Sequence, residues 1–190
     1  MGLYVRNDLR LKGQTRANAV RKDSRVVLAE NFSRINNADK FDIFLSHSYL
    51  DSNEILGLKL EFEAAGFSVY VDWVVDKGLD RTKVDRQTAA TLRTRLKQCR
   101  CLVYAFTENS QSSVWMPWEL GYFDAFKNKV AVLPILQTSR AGFEYVGQEY
   151  LGLYPYAFHA TAKGGNGSEL IWVCTAPETY KQFKGWLNGQ

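Results

Sequence analysis

Short solid apolar runs and amphipathic stripes alternate along most of the chain. Phe41-Asp42-Ile43-Phe44-Leu45 ends in Ser46-His47-Ser48, the pattern of a buried strand meeting a loop. Residues 52–65 set Ile55, Leu56, Leu58, Leu60 and Phe62 among charges and stop before Gly66, which predicts a helix with a glycine stop. Phe67-Ser68-Val69-Tyr70-Val71 is the next strand, followed by a loop carrying Asp72, Asp76, Gly78, Asp80 and Asp85. The pattern then predicts a helix over 83–98, a strand over 101–106, a polar loop over 107–113, a helix over 115–127 and a strand over 130–136. Beyond 137 the pattern weakens: residues 170–174 predict a last strand, and 177–187 a closing helix with Pro177 in its first turn. Ahead of the first strand, Val20, Val27, Leu28, Phe32 and Ile35 recur at roughly helical spacing. They predict one amphipathic helix over 15–34 with a basic opposite side.

Strands alternating with helices indicate βαβ units, hence an α/β protein with a parallel, doubly wound sheet. In such a sheet the ligand crevice lies outside the carboxyl ends of the strands. Here those ends are Ser46-His47-Ser48, Asp72-Trp73, residues 107–113 and the stretch after Leu136.

Composition narrows the function. With 46% hydrophobic and 14% aromatic residues the 190-residue chain is not disordered. Its formal charge of +4 is unevenly placed: residues 1–40 hold nine basic and four acidic residues, residues 41–190 fifteen and sixteen. The excess therefore belongs to a basic helical arm over 1–40, and the body over 41–190 has no nucleic-acid signature. No apolar run approaches the roughly eighteen residues of a membrane helix. The start is too charged for a signal peptide, and Arg6 stands where a myristoylation signal wants Ser or Thr. Cys99, Cys101 and Cys174 make neither a disulfide framework nor a C-x-x-C pair, so a reducing cytoplasm is expected. Two histidines, His47 and His159, do not assemble a His-rich metal site, and no metal is expected.

The familiar phosphate cradles are missing. There is no G-x-x-x-x-G-K-[ST], and no G-x-G-x-x-G follows the first strand. Gly164-Gly165-Asn166-Gly167 precedes a strand-like run and reads as a turn. Ser46-His47-Ser48 lacks the G-x-S-x-G elbow of a hydrolase, so it suits pocket lining or loop capping better than nucleophilic catalysis. The most informative segment is Ser113-Val114-Trp115-Met116-Pro117-Trp118-Glu119-Leu120. Pro117 confines the helix start to about 113–116. Trp115 and Glu119, four apart, then share one face of its first turns. An aromatic plate beside a carboxylate can stack on a flat heterocycle while the carboxylate acts on the adjoining sugar carbon. The same pair also suits an ordinary amphipathic helix start, with Glu119 complementing the helix dipole.

Three ordered segments resemble the Toll/interleukin-1 receptor (TIR) domain, and stand-alone prokaryotic TIR proteins most of all. Residues 41–48 with Asp51 resemble the family's first box. Gly66-Phe67-Ser68-Val69-Tyr70-Val71-Asp72 resembles the second strand leading into its BB loop. Ser113-x-Trp115-x-x-x-Glu119-Leu120 resembles the Ser-x-Trp-Cys-x-x-Glu-Leu stretch of its enzymatic members. The likeness covers 41–155 and leaves the arm and a C-terminal extension, 156–190, uncovered. Met116 replaces the usual Cys, Pro117 is unusual, and the 73–86 loop lacks the common Gly-Asp-Ser run.

The resemblance implies a flavodoxin-like three-layer fold with about five parallel strands. It implies NAD glycohydrolase or cyclase activity, with NAD as substrate and no cofactor. Cleavage of the nicotinamide–ribose bond gives nicotinamide with ADP-ribose, a cyclic isomer or a conjugate, in anti-phage defence. Glu119 falls on the catalytic glutamate, and Trp115, Ser46, His47, Asp72 and Ser113 fall on substrate-binding positions. It further implies self-association through TIR–TIR contacts and a downstream effector answering to the product. Two other readings stand beside this one: a non-enzymatic TIR interaction module, and an N-glycosidic enzyme of similar topology such as a nucleoside deoxyribosyltransferase.

Overall fold

The computed structural model describes residues 2–32, 39–71, 86–138, 149–161 and 169–190. The apolar runs become the strands β2 (Phe41–Ser46), β3 (Val69–Val71), β4 (Cys99–Phe106) and β5 (Val130–Leu136), and β6 (Tyr156–Thr161) joins them. These five pair in parallel in the order β3-β2-β4-β5-β6, the flavodoxin-like arrangement. Two antiparallel strands, β7 (Glu169–Ala176) and β8 (Thr179–Gln182), extend the sheet beyond β6. A two-residue strand, β1 (Tyr4–Val5), pairs in parallel with Ile135 and Leu136 of β5.

Solid apolar strands are buried on both faces, and period-2 alternation divides them between two cores. Ile43, Leu45, Cys101, Val103, Ala131 and Leu133 face α1 (Arg6–Ala19), α3 (Ser52–Ala64) and α6 (Phe183–Leu187). Phe44, Leu102, Tyr104, Val130 and Val132 face α4 (Arg86–Gln98) and α5 (Trp115–Lys127). Gly66 ends α3 as the sequence predicts: its φ is +87°. Its N–H bonds the Glu63 carbonyl, and Phe67 N–H bonds that of Phe62.

The structure departs from the pattern at both ends. The helix expected over 15–34 is two, α1 and α2 (Ser24–Phe32). Arg21 adopts a left-handed φ of +55°, Arg21 N–H bonds Asn18 O and Lys22 N–H bonds Ala17 O. That is the glycine-type stop built on an arginine, so no residue type announced it. At the other end the helix expected over 177–187 starts only at Phe183. Pro177 and Glu178 (φ +58°) instead form the turn between β7 and β8, and Thr179 and Tyr180 suit a strand. The turn expected at 164–167 lies outside the described residues.

Residues 2–32 pack on the body. Gly2 bonds His159 through both backbone groups, at 2.9 and 3.0 Å. α1 then crosses α3 at two glycines: a Cβ on Gly13 would lie 2.0 Å from Asn53 O, and one on Gly57 2.0 Å from Leu9 O. Only glycine permits that approach. Ion pairs flank the crossing, Lys12 to Glu61 at 2.7 Å on one side and Arg6 and Arg10 to Glu54 at 2.7 and 2.8 Å on the other.

Candidate active site

The carboxyl ends of β2 and β4 meet the start of α5 at one place. Ser46 closes β2 opposite Tyr104 and is buried. Its hydroxyl donates to Glu119 Oε2 at 2.6 Å, a buried bond between groups 73 residues apart. Glu119 reaches it from the second turn of α5 and is only 1% exposed. A carboxylate withdrawn from water interacts strongly with any positive charge that develops beside it.

The first turn of α5 follows from local rules. Ser113 Oγ, two residues ahead of the helix, accepts the Met116 N–H at 3.3 Å and so satisfies one donor of its first turn. Pro117 occupies the third helical position, where no N–H has an intrahelical acceptor. Met116, Leu120 and Phe123, spaced 4 and 3, bury the inner face. Trp115, one turn before Glu119, is also covered within that core and meets Trp118 edge to face at 5.5 Å. Trp118 stacks on Tyr122 at 5.5 Å, with the Arg93 guanidinium over both rings.

His47 is buried next to Ser46, and its Nδ1–H donates to the Leu45 carbonyl at 3.0 Å. A short 3-10 turn, Tyr49–Asp51, follows, with Ser48 Oγ accepting Leu50 N–H. Asp51, fully buried, ties this turn to the one after β4. It accepts from Thr107 Oγ1 and Asn109 Nδ2, both at 2.6 Å, and from Arg6 Nη2 at 3.2 Å. Burial pushes the Asp51 carboxyl up from its ordinary value, against the pull of Thr107 and Asn109. Alternative nucleophiles are poor. Burial pushes the Cys99 and Cys101 thiols up, away from the reactive thiolate. Among the described residues no group of three His, Cys, Asp or Glu side chains is placed to hold a metal ion, and no helix is long and apolar enough to cross a membrane.

No protein-family model matches the chain. It is 49% identical over 161 residues to a probable 3' cyclic ADP-D-ribose synthase, ThsB', of Bacillus cereus (strain MSX-D12), covering 85% of this chain and 82% of that one. The chain belongs to the bacterial TIR family. A second TIR relative, a putative cyclic ADP-D-ribose synthase, TIR2, of Cytobacillus dafuensis, is 35% identical over 91 residues, 47% of this chain and 24% of that one.

Within this TIR fold, the residues singled out from sequence divide by what they touch. Ser46 and Glu119 are joined directly. His47 adjoins Ser46, Trp115 precedes Glu119 by one helical turn, and the Ser113 hydroxyl bonds the helix backbone. Asp72 and the 73–85 stretch lie outside the described residues. Sequence reasoning missed Arg6, which bonds Asp51, and Glu54, which shares Arg6, and it placed Thr107 and Asn109 at the crevice only as part of the 107–113 loop. Arg6 and Glu54 come from segments whose polarity looked like solvent exposure, and only the fold reveals the pairing.

Proposed function

We propose that this TIR domain breaks the nicotinamide–ribose bond of NAD and closes the remaining ADP-ribose into a cyclic isomer, in anti-phage defence. Nicotinamide leaves as a neutral base, taking the electron pair of the C1'–N bond, so no general acid is required. The ribose is left with oxocarbenium character, which the Glu119 carboxylate stabilises, while Ser46 holds that carboxylate in place. A ribose hydroxyl of the same molecule then attacks C1' and releases its proton to give the ring; water attacking instead gives linear ADP-ribose. Trp115, His47, Asp72 and Ser113 are the substrate-binding residues in this reading, and the enzyme needs no resident cofactor.

The observation that carries this function is the buried Ser46–Glu119 bond at the strand ends. The kinship with cyclic ADP-ribose synthases supports ring closure over hydrolysis. The domain over 41–190 holds the chemistry, with 1–40 added to it. Copies associate through TIR–TIR contacts in the cytoplasm, and a separate effector protein reads the product.

The test is incubation of purified protein with NAD over a range of protein concentrations, following nicotinamide release and the product mass. Glu119→Gln is expected to lower turnover by about a hundredfold to a thousandfold, the size of losing one electrostatic stabiliser. Equal rates for the two proteins would refute the role of Glu119. Self-association without NAD turnover at any concentration would select the interaction module instead.

A further inference from the structure

We propose that Arg6 is a positioning residue of the active site, acting through Asp51 on the turn that follows Ser46 and His47. The inference rests on the function proposed above for its kinetic readout, and on geometry alone for its structural one. Arg6 is set by the sheet: Tyr4 and Val5 pair with Ile135 and Leu136, and α1 begins at the next residue. From there the guanidinium spans two buried carboxylates, with Nε 2.7 Å from Glu54 Oε1 and Nη2 3.2 Å from Asp51 Oδ1. Its side chain is only 18% exposed. Glu54 has a second cation in Arg10 at 2.8 Å. Among the described contacts of Asp51, Arg6 is the cation; Thr107 and Asn109 are neutral donors.

Asp51 transmits this hold in two directions. On its own side the Asp51 N–H bonds the Ser48 carbonyl at 3.1 Å, so the turn from Ser48 is short and closed. Ser46, two residues before that turn, carries the hydroxyl that fixes Glu119. On the far side Thr107 bonds Asp51 and also begins the 3-10 segment Glu108–Ser112, in which Ser110 N–H bonds Thr107 O at 3.1 Å. That segment leads directly into Ser113 and α5. The two polypeptide stretches that deliver Ser46 and Glu119 are thus joined at one buried carboxylate, and Arg6 neutralises it. Ring closure demands that a ribose oxygen be held within reach of C1', whereas water needs no such placement. A looser site favours water.

The experiment compares full-length wild type with Arg6→Met, Arg6→Lys and Lys12→Met. Lys12 is the control: it pairs with Glu61 across the same two helices at 2.7 Å, and no described contact links it to the turn. Hydrogen exchange is read at the Asp51 and Ser110 amides, and the ratio of cyclic to linear ADP-ribose is measured with kcat and KM for NAD. That ratio does not depend on how much of the sample is folded. Arg6→Met is expected to lose protection at both amides and to lower the ratio roughly fivefold, a modest loss for a misplaced reacting group. Arg6→Lys should fold and still show a lowered ratio, since an ammonium cannot fork to both carboxylates. Lys12→Met should change neither readout at those amides nor the ratio.

Unchanged protection at Asp51 and Ser110 in both Arg6 variants would overturn the proposal whatever the activity. So would an unchanged product ratio in variants that had lost protection. If the wild type cleaves no NAD, the proposed function fails, and the exchange data alone decide whether Arg6 holds the turn.

Discussion

Replacing Gly57 by alanine tests the packing that brings residues 2–32 against the body. The new Cβ would lie 2.0 Å from the Leu9 carbonyl oxygen, against 3.4 Å for the start of ordinary contact. Neither neighbour can yield as a flexible side chain would, because the near atoms belong to backbone. The two helices must part by more than an ångström, stretching the Arg6–Glu54 pair and uncovering Leu9, now 2% exposed. Overpacking of this kind costs about 3 kcal/mol, at the upper end of the usual range. For a domain of this size that is a fall of roughly 6–12 °C in Tm. Thermal unfolding followed by circular dichroism, with denaturant titration alongside, measures it. Gly121→Ala provides the contrast: a Cβ there meets nothing within 4 Å. In the interior of α5 the exchange should stabilise by about 0.5–1 kcal/mol. A Gly57→Ala protein within about 1 kcal/mol of wild type would refute the backbone-contact argument.

Ser46→Ala removes a 2.6 Å buried bond to Glu119 and should lower kcat/KM for NAD about ten- to a hundredfold, in line with losing a hydrogen bond to a charged group. Steady-state kinetics showing unchanged kcat/KM would separate Ser46 from the chemistry. Arg21→Gly should stabilise by about 0.5–1 kcal/mol, because Arg21 is exposed and holds a φ of +55° that glycine adopts freely. A lower denaturation midpoint would contradict it. Tyr154 has its phenol pushed up to about 12, first by burial and then by the bond to Asp124 at 2.9 Å. The folded state favours the neutral phenol, so this stabilisation is full below the ordinary value of about 10 and disappears as pH rises through 12. Tyrosinate absorbance should show a component titrating near 12 that is lost in Tyr154→Phe.

The central sheet was legible because its strands are solid apolar runs: β2, β4 and β5 needed no tertiary information. Glu119 was legible for a different reason, its position one turn after Trp115 on a helix whose start Pro117 confines. What escaped was whatever depended on contacts between distant segments. Arg21 ends a helix with a conformation its residue type does not advertise, and β8 takes its pairing from β7. The basic residues of 1–40 looked like a solvated face. Arg6 and Arg10 instead meet Glu54, a buried acid whose sequence neighbours look like an ordinary helix start. Charge counts by segment are blind to that pairing, because each partner is ordinary in its own surroundings.

The two-residue strand at the front of the chain has a consequence for synthesis. Tyr4 and Val5 are made well before their partners Ile135 and Leu136, which lie about 130 residues on, a contact of very high order. Until β5 has emerged from the ribosome, β1 therefore has no partner strand to pair with. The α1–α3 crossing can form much earlier, but its first turn is not anchored until β5 has emerged. A chain stalled before β5 therefore lacks the strand pairing that sets Arg6 at the start of α1.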